Sequence, residues 1–219
     1  MTNPILEKSV MGDIVHFEQP SHYSRDAVTI ISGAGVLKPG SVLGKRTKSA
    51  SPATAGTNTG TGTISAVTLG ALAEVGNYLL KCITAATNAG TFAVFTPSGY
   101  RLADAVVGSA YTGNHLHFTI SDGGVDFAVA DTFTVAVSGD GKYNFAKDAD
   151  VTGLANAVAV LLEEVDATSA DVTDALVLVR EATVAEQGLI FHSSVDDDSK
   201  RNAMLAGLKT VGILTAQGA

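Results

Sequence analysis

Apolar and polar side chains alternate cleanly at 132–137, where Phe133, Val135 and Val137 take one face and Thr132, Thr134 and Ala136 the other. A period of two marks a strand with one buried face. Apolar runs of similar length recur at 63–69, 77–84, 91–96 and 115–120. Turn signals separate them: Val75-Gly76-Asn77, Asn88-Ala89-Gly90, Pro97-Ser98-Gly99, Gly113-Asn114 and Asp122-Gly123-Gly124. Short strands at this spacing predict a small all-β sandwich or barrel over 51–139.

The flanks are written differently. "AVTIISG" at 27–33 is a strand closed by Ser32-Gly33, and Val42-Leu43 begins another. Lys38-Pro39-Gly40 between them predicts a type II turn, since proline presets φ and glycine accepts the positive φ that follows. After Ser138-Gly139-Asp140-Gly141, "NAVAVLLEEVDAT" and "DALVLVREATV" are almost continuously apolar. The first reads as a buried strand turning polar, and the second as another strand ending in a charged pair. The last element opens on Asp196, Asp197, Asp198 and Ser199 and carries Ala203, Leu205, Ala206 and Leu208. Acidic caps followed by apolar residues at mixed helical spacing predict a helix, stopped by Gly212. Two segments lack periodicity. The Thr/Gly tract 48–62 is expected to be an exposed, flexible connector. Residues 1–23, with two prolines and one short β-like run at 14–17, are expected to stay mobile until a partner orders them.

Composition narrows the chemistry. The 219 residues are 46% hydrophobic and 16% charged, a globular balance, and the absence of Trp predicts a core of small and branched aliphatics. The net charge of −8 argues against nucleic-acid binding, which draws most of its affinity from Lys and Arg. Cys82 is the single cysteine, so an intramolecular disulfide and a multi-cysteine zinc site are excluded, and its strand-like surroundings predict a buried thiol. The N-terminus lacks the apolar segment of a signal peptide and no apolar run reaches membrane-spanning length, so a soluble chain with no membrane partner is expected.

Candidate sites were weighed against plainer readings. "GSVLGKRT" has three residues between Gly40 and Gly44, and Arg46 separates Lys45 from Thr47, so it fails the phosphate-loop spacing. His115 and His117 share a strand face but lack a third ligand. Asp196 to Asp198 lack the ligand spacing of a calcium loop. His16, His22 and His192 are isolated, and Glu163, Glu164 and Glu181 fall at strand ends. No catalytic residue, metal ligand or cofactor site is therefore assigned, and no enzyme is expected.

Two separated stretches carry a resemblance. "SRDAVTIISGAGVLKPGSVLGKRT" (24–47) and "AVAVLLEEVDATSADVTDALVLVREATV" (157–184), with the following "LIF" and the helix ending in "GIL", together resemble the head decoration (capsid-stabilising) proteins of lambda-like tailed phages. In that family a short hairpin joins the two patterns; here residues 48–141 stand between them. The resemblance implies a mainly β fold with a C-terminal helix: a small β-rich decoration domain, 24–50 and 140–219, interrupted by an inserted β-sandwich domain at 51–139 that is similar to immunoglobulin-like (Ig-like) accessory domains. Long insertions at hairpins cost little, because loop-closure entropy grows only logarithmically.

The resemblance also implies a homotrimer on threefold and quasi-threefold positions of the expanded capsid. Its partner would be the major capsid protein, and its place the outer surface of the virion. Residues 1–23 are read as the capsid-binding arm, adding a strand to the shell protein with Ile5, Ile14, Val15 and Phe17 as the apolar grip. Two alternatives remain open. One is a receptor- or carbohydrate-binding module, with a host-surface ligand held by the insert through Tyr78, Tyr100 or Tyr111. The other is a tail-tube or baseplate subunit.

Overall fold

The computed structural model describes residues 11–216. The chain is mainly β with one C-terminal helix, as the sequence predicts, and it divides into two compact units. One contains the chain up to Arg46 and from Gly141 onward; the other is Thr47–Asp140.

The first unit is built on a closed barrel of five strands in the order Tyr143–Phe145, Arg25–Ile30, Val172–Leu178, Ala157–Leu161 and Val42–Lys45. Tyr143–Phe145 closes it, pairing antiparallel with Val42–Lys45 (Tyr143 opposite Lys45, Phe145 opposite Leu43) and parallel with Ile30. The barrel interior holds Ile30, Leu37, Leu43, Ala159, Leu161, Ala175 and Val177. A second cluster lies outside the barrel wall and takes Val42, Ala157, Val160 and Leu178 from the same strands, with Leu162 just beyond one of them. That is why these strands read as continuous apolar runs: one face fills the barrel, the other meets an outer layer. The turn before Val42–Lys45 is the expected one, with Gly40 at φ +90° and the Ser41 N–H donating to Lys38 O at 3.0 Å. A side chain at Gly40 would also collide with the Gly188 carbonyl.

The outer layer is the helix Asp198–Thr210 and a three-stranded sheet in the order Val15–Glu18, Ala182–Ala185, Ile213–Ala216. Asp197 caps the helix, its side chain accepting from the Lys200 N–H at 2.8 Å. Met204 and Leu208, one turn apart, are the residues this helix buries, whereas Ala203 and Ala206 are exposed. Gly207 allows the helix close to the strand below, since a Cβ there would lie 2.8 Å from Ala157 O. Gly212, at φ +78°, follows the helix as expected.

The second unit has two sheets. The larger runs Ala105–Val106, Ala89–Phe95, Gly76–Ala86, Thr132–Ser138, then Ser49–Ala50, with Thr54–Ala55 also on Thr132–Ser138. The smaller sets Leu116–Ser121 between Ala110–Thr112 and the short strands Thr63–Ile64 and Thr68–Leu69. Phe133, Val135 and Val137 are buried, matching the alternation, and so is Cys82. Phe92 and Phe127 meet edge to face at 5.0 Å.

The tract 48–62 is not a free connector. Ser49–Ala50 and Thr54–Ala55 are strands, and Asn58 exchanges two hydrogen bonds with the backbone of Thr132. The buried Asp131 carboxylate accepts the N–H groups of Thr59, Gly60 and Ala128 at 2.9, 2.9 and 3.0 Å. A carboxylate supplied from another segment thus fixes a stretch that has no apolar pattern of its own. Burial alone pushes the Asp131 carboxyl up, but these three donors outweigh it and hold its pKa below the usual carboxylate range.

A depressed folded pKa means that this stabilisation is complete above the unfolded value near about pH 4 and fades as pH falls through the folded value. Asp131→Ala leaves buried donors unpaired and is expected to cost about 3 kcal/mol in this unit at pH 7. Hydrogen exchange at Thr59, Gly60 and Ala128 reads the effect. Exchange should quicken in the variant at neutral pH, and the difference from wild type should shrink in acid.

Candidate docking surface at the terminal sheet

The residues weighed as chemical sites are placed in structural roles. Lys45 lies 5.7 Å over the Tyr143 ring. His115 shares a 3.1 Å hydrogen bond with the Tyr78 hydroxyl, which also accepts the Glu74 N–H, while His117 is exposed. Lys200 gathers Asp196 at 2.7 Å, Asp148 at 3.5 Å and Asp197 at 3.9 Å, pinning the loop around Asp148 to the start of the helix. His192 forms one wall of an open groove beside the helix, lined by Leu189, Phe191 and Leu205 and rimmed by Asp196, Asp198 and Arg201. Burial and the Lys147 charge push its pKa down, favouring neutral imidazole. Its Nδ1 meets the Ser194 hydroxyl at 2.9 Å, and that hydroxyl accepts the Asp148 N–H, so the pair closes a turn. Among the described residues no group of three His, Cys, Asp or Glu is placed to hold a metal ion, and no helix is long and apolar enough to cross a membrane.

The residues expected to form an apolar grip separate. Ile5 lies outside the described residues. Ile14 ends the short helix Met11–Ile14 and is wholly buried in the outer cluster with Val42, Leu178 and Val184. Burying a side chain of that size stabilises by about 2 kcal/mol, which helps order a segment that lacks periodicity. Thus the stretch 11–18, expected to be mobile, is helix and strand here, and Ser21–Ser24 adds another helical turn.

Val15 pairs with Val184 on the core side. Phe17, two residues on, would share that face in a regular strand. A bulge between them shifts the register, so Phe17 stands opposite Thr183, on the outer face, and is 59% exposed. Thr183 in turn pairs with Leu214, which is 48% exposed. Phe17, Thr183 and Leu214 therefore form one row across the outer face of the sheet. Among the described residues no strand pairs with the outer edge of Val15–Glu18 or of Ile213–Ala216.

The entry to this edge is braced electrostatically. Arg25 holds Glu18 through two bonds, Nε to Oε2 at 2.9 Å and Nη2 to Oε1 at 2.5 Å, which together raise the guanidinium pKa. Arg180 sits 5.4 Å over the Tyr23 ring and donates to the Tyr23 carbonyl. Phe17 was visible in the sequence as the end of a β-like run. Thr183 and Leu214 were not singled out, and only their flanking apolar residues marked the strands that carry them.

The tyrosines of the other unit also separate. Tyr78 and Tyr111 are buried, whereas Tyr100 is 70% exposed. Its backbone is held in a turn: the Tyr100 N–H donates to Thr96 Oγ1 at 3.1 Å, and Tyr100 O accepts the Thr96 N–H at 2.9 Å.

No curated protein matches the chain. Among solved structures it is similar to two crystal forms of Xanthomonas campestris FlgL, at 20% and 19% identity. Those alignments cover 48% and 55% of this chain and 34% and 33% of FlgL, about a third of its length. Both have a TM-score of 0.32, too low to carry a structural argument. The model of the family described as Bacteriophage lambda head decoration protein D matches residues 4–213, running through both units, so the chain belongs to that family of structural phage proteins.

Proposed function

We propose that the protein binds the outer surface of the expanded phage capsid as a homotrimer at threefold and quasi-threefold positions and stabilises it against packaged-DNA pressure. A ligand that binds only the mature shell geometry stabilises that geometry by linkage. Three modest contacts held in one trimer act at high effective concentration, so the assembly binds far more tightly than one subunit. The acidic balance of the chain suits a surface that must not compete for DNA.

The observation that carries the reading is the strand Val15–Glu18, whose outer edge is paired by no other strand among the described residues, with Phe17 exposed on it. An unpaired edge with an apolar side chain beside it is what strand addition to a shell protein requires. Because Ile14 is part of the core, the contact is assigned to the strand rather than to a wholly detachable arm.

A second reading keeps one observation. The 47–140 unit presents Tyr100 on a rigid turn, and an exposed aromatic ring is a stacking platform for a saccharide of the host surface.

Phe17→Asp is expected to leave folding and oligomeric mass unchanged. It should weaken capsid binding by about 1 kcal/mol per subunit, roughly a hundredfold for a trimer. Imaging purified protein on expanded, empty capsids, together with light scattering in solution, reads both. Threefold decoration by wild type and loss in the variant support the reading, and a ring-shaped oligomer that ignores capsids overturns it. For the second reading, a glycan array should show binding that Tyr100→Ala abolishes; an array without hits removes it.

A further inference from the structure

His192, Ser193, Ser194 and Val195 form a tight turn, closed by the Val195 N–H donating to His192 O at 2.9 Å. Inside it the Ser194 N–H donates to His192 Nδ1 at 3.1 Å. A backbone N–H can only donate, so Nδ1 carries no proton and the ring is the neutral Nε2–H tautomer. The Ser194 hydroxyl, 2.9 Å from the same nitrogen, accepts the Asp148 N–H at 3.0 Å and is left to direct its own proton to Nδ1. Two donors of one residue thus converge on one lone pair, and the hydroxyl ties the turn to the loop around Asp148. Phe145 lies beside the imidazole, ring centroids 5.9 Å apart. His192, Ser193 and Val195 also form a wall of the open groove beside the helix Asp198–Thr210.

We propose that His192 is a proton-operated latch: a proton taken up at Nδ1 opens the turn 192–195 and reshapes that wall of the groove. The latch lies within the barrel unit and does not depend on capsid binding. Protonation puts an N–H where two donors already point. The Ser194 N–H then faces another donor and loses its acceptor, and the hydroxyl has to turn its proton away. The charges around the ring do not offset this. Lys147 opposes a second positive charge beside it. Asp148, Asp196 and Asp197 are gathered on Lys200, and Asp198 faces Arg201 at 3.9 Å. Glu186 is the remaining acid lining the groove. Burial and Lys147 together hold the folded pKa below the usual imidazole value of about 6.5. The closed latch is therefore fully stabilising above about pH 6.5, and that stabilisation is lost as pH falls from there through the folded value.

Nuclear magnetic resonance on the full-length protein tests the latch. At neutral pH the His192 ring nitrogens should report the Nε2–H tautomer. Between neutral pH and about pH 5, where an imidazole takes up its proton, protection of the Ser194 amide against exchange should fall. After correction for the intrinsic pH dependence, the fall is expected to be about tenfold, the effect of losing one hydrogen bond. Protection of the Asp148 amide should fall with it. His192→Asn keeps an acceptor at nearly the same place, a side-chain carbonyl that takes up no proton. Its Ser194 protection is expected to stay level across the same range. Ser194→Ala removes the tie to Asp148, so the Asp148 amide should exchange fast at every pH.

A His192 ring found as the Nδ1–H tautomer overturns the latch, and so does Ser194 protection that does not change with pH. An equal fall in His192→Asn also overturns it, by assigning the acid response to the carboxylates around Lys200. Should that variant fold poorly, the wild-type titration decides. Ser194 protection is expected to fall at the pH where the His192 ring itself titrates, and a fall at a different pH contradicts the proposal.

Discussion

The structure depends on the pairing of Tyr143–Phe145 with Val42–Lys45. The chain leaves the barrel after Arg46, forms an entire unit, and returns at Gly141 to supply the strand that closes the barrel. The backbone bonds continue past the paired strands, with the Arg46 N–H donating to Lys142 O at 2.8 Å and the Gly141 N–H to Arg46 O at 3.2 Å. Exit and return are therefore held side by side within the barrel unit. Two barrel strands, Arg25–Ile30 and Val42–Lys45, precede the excursion and three follow it, so the barrel is joined across it. A glycine at the centre makes the junction feasible: a Cβ at Gly44 would lie 2.7 Å from the Leu154 carbonyl oxygen.

From the barrel the terminal sheet follows in layers. The wall strands are apolar on both faces, so they need a cover, and the helix Asp198–Thr210 and the terminal sheet provide it. Burying Ile14, Val184 and Ile213 fixes the sheet, and fixing the sheet turns Thr183 and the exposed side chains beside it outward. On the proposed reading the protein needs no reactive group, only side chains and backbone held in one geometry before binding. Preorganisation lowers the entropy that binding would otherwise cost.

Much of this was legible in the sequence because it follows from period and punctuation. The alternation at 132–137, the Lys38-Pro39-Gly40 turn and the Asp-capped helix each depend on neighbours a few residues away. The order of the two flanking patterns was enough to place the chain beside its family. What could not be read depends on partners distant in sequence. The tract 48–62 looks featureless until Asp131 and Thr132 meet it. Ile14, Val15 and Phe17 read as a single apolar grip, yet a bulge and a buried cluster send them to different places. Leu214 and Thr183 are ordinary strand residues until the parallel pairing of Ala182–Ala185 with Ile213–Ala216 aligns them.

The most direct measurement replaces residues 47–140 with a short turn joining Arg46 to Gly141. If the barrel strand after Gly141 belongs with the strand before Arg46, the shortened chain should unfold in a single cooperative transition and decorate expanded capsids as the full chain does. A shortened chain that cannot fold, from a full-length protein that folds normally, would contradict the account.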